Sequence, residues 1–386
     1  MKKNPSSAPI RFRLGAVVLA GLGLFLLQSP LRGAEPMLDI GVYELSRLEA
    51  FNLARDGSFQ EAVQAEKRVL KIAEDQYGPL HPELASIYKD LGLLYHSQGE
   101  FKKAEEAAKW GLALVEKNGG LDHPTTADYL DQLAFLYTDL NRLEEAEIDA
   151  KRSLAIRKAG PKGNNQALIQ TLDLLGWIES RLQKNDQAQR FLTEALGLLE
   201  KESHLEGLSI HLLGALARSY QSDKNPTKAQ SSLEKALSLA QKSFHADSPE
   251  VADAMESLAD FYNSQNQGDK AKPFYTSAVE IDRHYVGTVF TYQSLPFLRR
   301  LAQADFSVGE LKASENLWQK SLQVEKEVFG PQHPKVALDL IHLAEAQSAL
   351  NLKAKSQASL KEALGILKSR FPADNPLVLL VQKRLE

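Results

Sequence analysis

A chain of 386 residues that is 43% hydrophobic and 25% charged has the composition of a folded protein and not of a disordered one. Its 46 basic and 50 acidic residues give a net charge of −4, which offers nucleic acid phosphates no basic footprint. It contains no cysteine, so disulfides, thiolate catalysis and cysteine-held zinc are all excluded.

Lys2, Lys3, Arg11 and Arg13 precede the uncharged run Leu14–Leu27, and QSPLRGA follows, ending at Ala34. A basic start, an apolar core and small residues after it form the layout of a secretory signal peptide. Cleavage after Ala34 would set Arg32 three residues back, a poor fit, whereas cleavage after Gly33 sets Leu31 there. Counted to Leu31, the same run approaches the length of a bilayer span, so an uncleaved N-terminal membrane anchor is the alternative. In both cases the rest of the chain is expected outside the cytoplasm, periplasmic or secreted, if the positive end stays inside. Without residues 1–34 the balance is 41 basic to 50 acidic residues, which suits a basic partner.

Beyond residue 34 the chain repeats itself about every 42 residues. A small residue recurs at Ala62, Ala104, Ala146, Ala188, Ala229, Ala271, Ser314 and Ser356. A second series follows seven residues later at Gly111, Ser153, Ala195, Ala236, Ala278, Ser321 and Ala363, with Val69 as the exception. A third lies twelve residues before the first: Ala50, Gly92, Ala134, Gly176, Ala217, Ala259, Ala302 and Ala344. Small side chains let two helices approach closely where larger ones would hold them apart. Each repeat therefore reads as two helices. The example is Pro82–Gln98, a turn at Gly99-Glu100-Phe101, and Lys102–Glu116. His81-Pro82, His123-Pro124, Ser248-Pro249, His333-Pro334 and Asn375-Pro376 combine a capping residue with proline at the first helical position. Pro226, Pro273 and Pro296 also fall near expected helix starts, and the stretch Val286–Leu295 matches the pattern worst. The expected boundaries are a signal or anchor at 1–34, then repeats near 42–80, 81–122, 123–164, 165–206, 207–247, 248–289, 290–332 and 333–374. A capping helix follows at 375–386.

The order leucine, small, aromatic, small, small within each repeat resembles the tetratricopeptide repeat. The segments YGPLHPELA, GGLDHPTTA, FHADSPEVA and FGPQHPKVA resemble the longer repeats of kinesin light chains. The resemblance implies an all-α, right-handed superhelical solenoid of about eight helix-turn-helix units with a C-terminal cap. It also implies that the first helix of each unit lines an inner surface that binds a peptide or protein. It does not carry over the cargo-transport role, because no heptad region for a motor partner is evident.

The repeat register supplies candidate groove positions. One residue after the third small series stand Phe51, Leu93, Phe135 and Trp177, then Arg218, Asp260, Gln303 and Glu345. An apolar ladder running into polar positions suits an extended or helical peptide. The competing reading is that these side chains pack between neighbouring first helices. Three residues before the small position come Arg47, Lys89, Asp131, Asp173, Gly214, Glu256, Arg299 and Ile341, which with Asp128, Asp139, Asp253 and Asp260 suggest an acidic central band. That band would steer a basic partner, or would be an ordinary solvated helix face.

No nucleophile elbow, phosphate-cradling loop or HExxH helix is present. His81, His123 and His333 occupy equivalent repeat positions and are expected to be capping or loop residues. The sequence therefore points to a scaffold without catalysis or cofactor. A membrane-anchored assembly or quality-control factor of the cell envelope is the alternative.

Overall fold

The computed structural model describes residues 40–160, 165–200, 205–286 and 294–386. The signal or anchor expected at residues 1–34 lies outside them. Among the described residues there are 17 helices and no strand, and no helix is long and apolar enough to cross a membrane. The chain divides into two compact bodies, Met1–Asn118 and Gly119–Glu386.

The first body contains α1 (Ile40–Arg55), α2 (Phe59–Tyr77), α3 (Leu84–Ser97) and α4 (Phe101–Gly119). The second contains six helix pairs and a last helix. The pairs are α5 (Pro124–Asp139) with α6 (Leu143–Ala159), α7 (Asn165–Arg181) with α8 (Asn185–Leu199), and α9 (Glu206–Ser222) with α10 (Pro226–Ser243). They continue with α11 (Pro249–Ser264) and α12 (Gly268–Val286), α13 (Leu295–Val308) and α14 (Leu311–Phe329), and α15 (Pro334–Ala349) and α16 (Lys353–Arg370). The last helix is α17 (Pro376–Leu385). Each helix of the second body packs on the next, and α5, α7, α9 and α11 also touch in sequence as first helices.

All three small-residue series are buried, Gly92, Gly111 and Gly176 among them. Two serines display the register directly. Ser314 Oγ donates to the Ala302 carbonyl at 2.7 Å, and Ser356 Oγ donates to the Ala344 carbonyl at 2.8 Å. The first small position thus lies against the third, twelve residues back across the turn. The second small position reaches the following repeat: Ser321 Oγ donates to Asp339 Oδ2 at 2.6 Å. At Gly176 the approach is closest, because a Cβ there would lie 2.6 Å from a Leu192 methyl.

Turns within the pairs follow one rule. A residue with positive φ recurs at Gly57, Gly99, Asn141, Gln183, Lys224, Asn266, Gly309 and Asn351, five residues before each first small position. The next amide bonds the carbonyl five residues before it, as in Arg142 N to Tyr137 O and Asn225 N to Tyr220 O, both 2.8 Å. This left-handed closure satisfies carbonyls that the helix end leaves open. Turns between pairs use the histidines. His123 Nδ1 accepts from the Thr125 amide at 3.3 Å, and His333 Nδ1 from the Lys335 amide at 3.1 Å. His81 Nδ1 accepts from the Glu83 amide at 3.3 Å, but α3 begins only at Leu84, so His123 and His333 cap helices and His81 is a loop residue. Pro226 and Pro296 sit in the first turns of α10 and α13. Pro273 departs from expectation: it lies inside α12, where a proline removes one helical hydrogen bond.

Candidate partner-binding surface

In the first body, Phe51 on α1 and Leu93 on α3 are half-buried. Arg47 joins these two helices, donating from Nη2 to Asp90 Oδ2 at 2.7 Å. Behind that pair lies Glu66, 2% exposed. Burial, with Asp90 beside it, pushes the Glu66 carboxyl up to about 8 against the smaller opposing pull of Arg47. One guanidinium therefore serves two buried acids.

In the second body, Phe135 on α5 and Trp177 on α7 come together with ring centroids 5.7 Å apart. Both are half-buried. Each therefore packs against the neighbouring first helix and still keeps part of its surface open. Arg218 is exposed on α9, one turn beyond Gly214, where a Cβ would meet its Nη1 at 3.7 Å.

The acids are largely engaged from within. Arg157 on α6 donates to Asp128 Oδ1 at 2.7 Å and to Asp131 Oδ2 at 2.8 Å, and Thr171 Oγ1 donates to Asp131 Oδ2 at 2.7 Å. Burial raises the Asp131 carboxyl while the Arg157 charge opposes the rise. Asp173 lies 3.3 Å from His211 Nε2. Asp260 accepts from the Tyr275 hydroxyl at 2.6 Å. Glu256 is 1% exposed. Arg300 binds Asp282 through two hydrogen bonds of 2.6 Å each and lies 3.7 Å from Asp253.

Four repeats further on, the Asp131 arrangement recurs with its charges exchanged. Arg299 takes the place of Asp131, Glu325 that of Arg157, Asp339 that of Thr171, and Ser321 that of Ser153. Arg299 binds Glu325 and donates from Nε to Asp339 Oδ1 at 2.9 Å. Arg157 and Glu325 each stand four residues after the second small position, on a second helix. That position carries the signal for both residues, whereas the candidate groove positions lie on first helices.

No group of three or more acids and histidines able to hold a metal occurs among the described residues.

A run of paired helices, with small residues at each contact and a partly open aromatic pair on neighbouring first helices, defines the class of helical-repeat interaction scaffolds. The family model described as tetratricopeptide repeat matches residues 44–117, 125–201, 208–284 and 294–369. The chain belongs to the tetratricopeptide repeat family. Among solved structures it is similar to a Rap protein complexed with competence and sporulation factor. That match has 14% identity, a TM-score of 0.57, and covers 92% of this chain and 98% of the other. It is also similar to the apo form of the quorum sensor NprR from B. thuringiensis, with 12% identity, a TM-score of 0.56, and 86% and 89% coverage. A putative kinesin light chain from Podosopora anserina with nearly identical TPR-like repeats matches at 18% identity and a TM-score of 0.40. It covers 54% of this chain and 99% of the other. These likenesses are of fold. No curated protein matches the sequence.

Proposed function

We propose that this chain is a non-catalytic scaffold, exported from the cytoplasm, that holds a peptide or protein segment along its first helices. The Phe135–Trp177 pair carries the reading. Two large aromatics on adjacent first helices, each half-buried, offer apolar area that a partner can finish covering. The Rap protein of similar fold was solved complexed with competence and sporulation factor, which agrees with a binding role for such helix pairs. The acids of the first helices are a weaker lure than their number suggests, since arginine, histidine and tyrosine of the same body already engage them.

Export rests on the basic-apolar-small order of residues 1–34. The same residues support the second reading, a tethered assembly or quality-control factor of the envelope. The intact mass of the native protein separates the two: a start near Glu35 removes the tether, and a retained Met1 removes the signal. The scaffold itself is tested by co-purification from the producing cell with the wild type and Trp177→Ala. Loss of partners with an unchanged melting curve supports the groove. Undiminished capture, or a fall in stability alone, makes Trp177 core.

A further inference from the structure

Charge is unevenly placed along the chain. Residues 35–352 hold 34 basic and 47 acidic residues, whereas residues 353–386 hold seven basic and three acidic ones. This basic end comprises α16 and α17. Lys353, Lys355, Lys361 and Lys368 on α16 are all exposed, as is Lys383 on α17. None of these five forms an ion pair among the described residues. The acid of α16, Glu362, is taken by Lys326 of α14 at 2.7 Å, and Arg384 of α17 is held by Glu345 at 2.6 Å. The free charge is therefore all lysine.

Local stability does not account for it. Lys353 and Lys355 stand in the first turn of α16, where the helix dipole disfavours positive charge and no acid offsets them. The corresponding turn of α6 carries Glu144 and Glu145. From Lys353 to Lys368 the helix runs about 22 Å. Between the lysines the exposed positions include Ala354, Gln357, Ala358 and Gly365, and a Cβ built at Gly365 meets nothing within 4 Å. The ammonium groups thus stand above a low surface. On α17, Leu379 is 50% exposed, although its counterparts in earlier repeats, among them Ile210, Leu295 and Ala337, are buried. Lys383 lies one turn beyond Leu379 and shares its helix face.

We propose that the outer face of α16, with Leu379 and Lys383 of α17, docks on a bilayer that contains acidic phospholipids. Charge complementarity selects this occupant. Separate, mobile headgroups can each meet a separate lysine, whose stem lies along the surface while its head stays in water. Leu379 supplies the apolar contact at the interface. A protein partner suits the face less well. Protein interfaces are depleted in lysine and alanine and are anchored by aromatics and arginine, and the exposed residues of α16 include neither. A second copy of the chain offers no counter-surface in its first-helix acids, which are already engaged from within. The surface is independent of the aromatic groove and of the fate of residues 1–34.

The absence of cysteine allows a single labelled one. The test places a nitrobenzoxadiazole dye on Leu379→Cys in the full chain. Its emission is expected to rise with phosphatidylcholine–phosphatidylglycerol vesicles, not with pure phosphatidylcholine, and to fall back at about 1 M salt, where screening acts within about 3 Å. An apolar anchor in residues 1–34 would bring the chain to both vesicles alike, so the difference between them is the readout. Lys361→Gln with Lys368→Gln should weaken partition roughly thirtyfold, at roughly fivefold per lysine. Lys235→Gln with Lys242→Gln, exposed on α10, should leave it unchanged. Sedimentation of the unlabelled chain with the same vesicles should follow the same order, which guards against damage by the label. Equal response to the two vesicles overturns the surface, as does partition insensitive to Lys361 and Lys368. An equal response from a dye on Ile148→Cys, exposed on α6, also overturns it. A larger response at position 379 to poly-glutamate or duplex DNA than to the vesicles overturns the lipid assignment.

Discussion

Glu66→Gln should abolish a pH dependence built into the first body. The wild-type carboxyl is 2% exposed, its Oε1 has no hydrogen-bond partner, and Asp90 competes for Arg47. Its pKa rises from 4.5 to about 8. The folded state therefore holds a proton that the unfolded state has released throughout that window. Stability must fall as pH rises from about 4.5 to about 8 and level off above. At about 1.4 kcal/mol per pH unit over about 3.5 units, the loss is on the order of 5 kcal/mol. Glutamine keeps the shape and removes the ionisation, so the variant should match the wild type near pH 4 and exceed it by a comparable amount at pH 9. The residual slope then belongs to Asp90, which burial also raises. Trp110 is the one tryptophan of this body. Urea unfolding in a Trp177→Phe, Trp318→Phe background, followed by Trp110 fluorescence from pH 4 to 9, reads the effect locally. Parallel curves for the two proteins would refute the reasoning.

Three further substitutions probe the packing. Ala146→Leu should overpack the contact of α6 with α5 and lower stability by about 1–3 kcal/mol; an unchanged melting curve would show the register to be misplaced. Lys224→Gly should raise stability by about 1 kcal/mol, because lysine at φ 54 holds a left-handed conformation that glycine adopts freely. Calorimetry decides it, and a loss of stability would mean the lysine side chain outweighs the backbone cost. Arg299→Met should destabilise the second body by about 3–5 kcal/mol, since it leaves Glu325 and Asp339 buried without their cation. Denaturation at pH 8 checks this, and a neutral effect would show that the two acids protonate without cost.

The helix pairs were legible in the sequence because their contacts are local and periodic. Ala146, Ala188 and Ala229 need only be small, and smallness survives every change of neighbour. The left-handed turn was equally periodic but hidden, because Gln183 and Lys224 occupy it beside glycines and asparagines. The acidic band was visible as residues and invisible as chemistry. Arg157 reaches Asp131 across 26 positions, and Arg299 reaches Asp339 across 40. Such pairings depend on which faces meet after stacking. Pro273 misleads for a local reason: α12 begins at Gly268, where the left-handed turn at Asn266 sets the start, and not at the proline.

The central claim, that partners bind along the first helices, is tested most directly by a photo-crosslinking residue introduced in the producing cell. It would replace Trp177 in one strain and Ile148, exposed on the second helix α6, in another. The account predicts discrete adducts from position 177 and none from position 148. Adducts from 148 alone would place binding on the opposite face and contradict it.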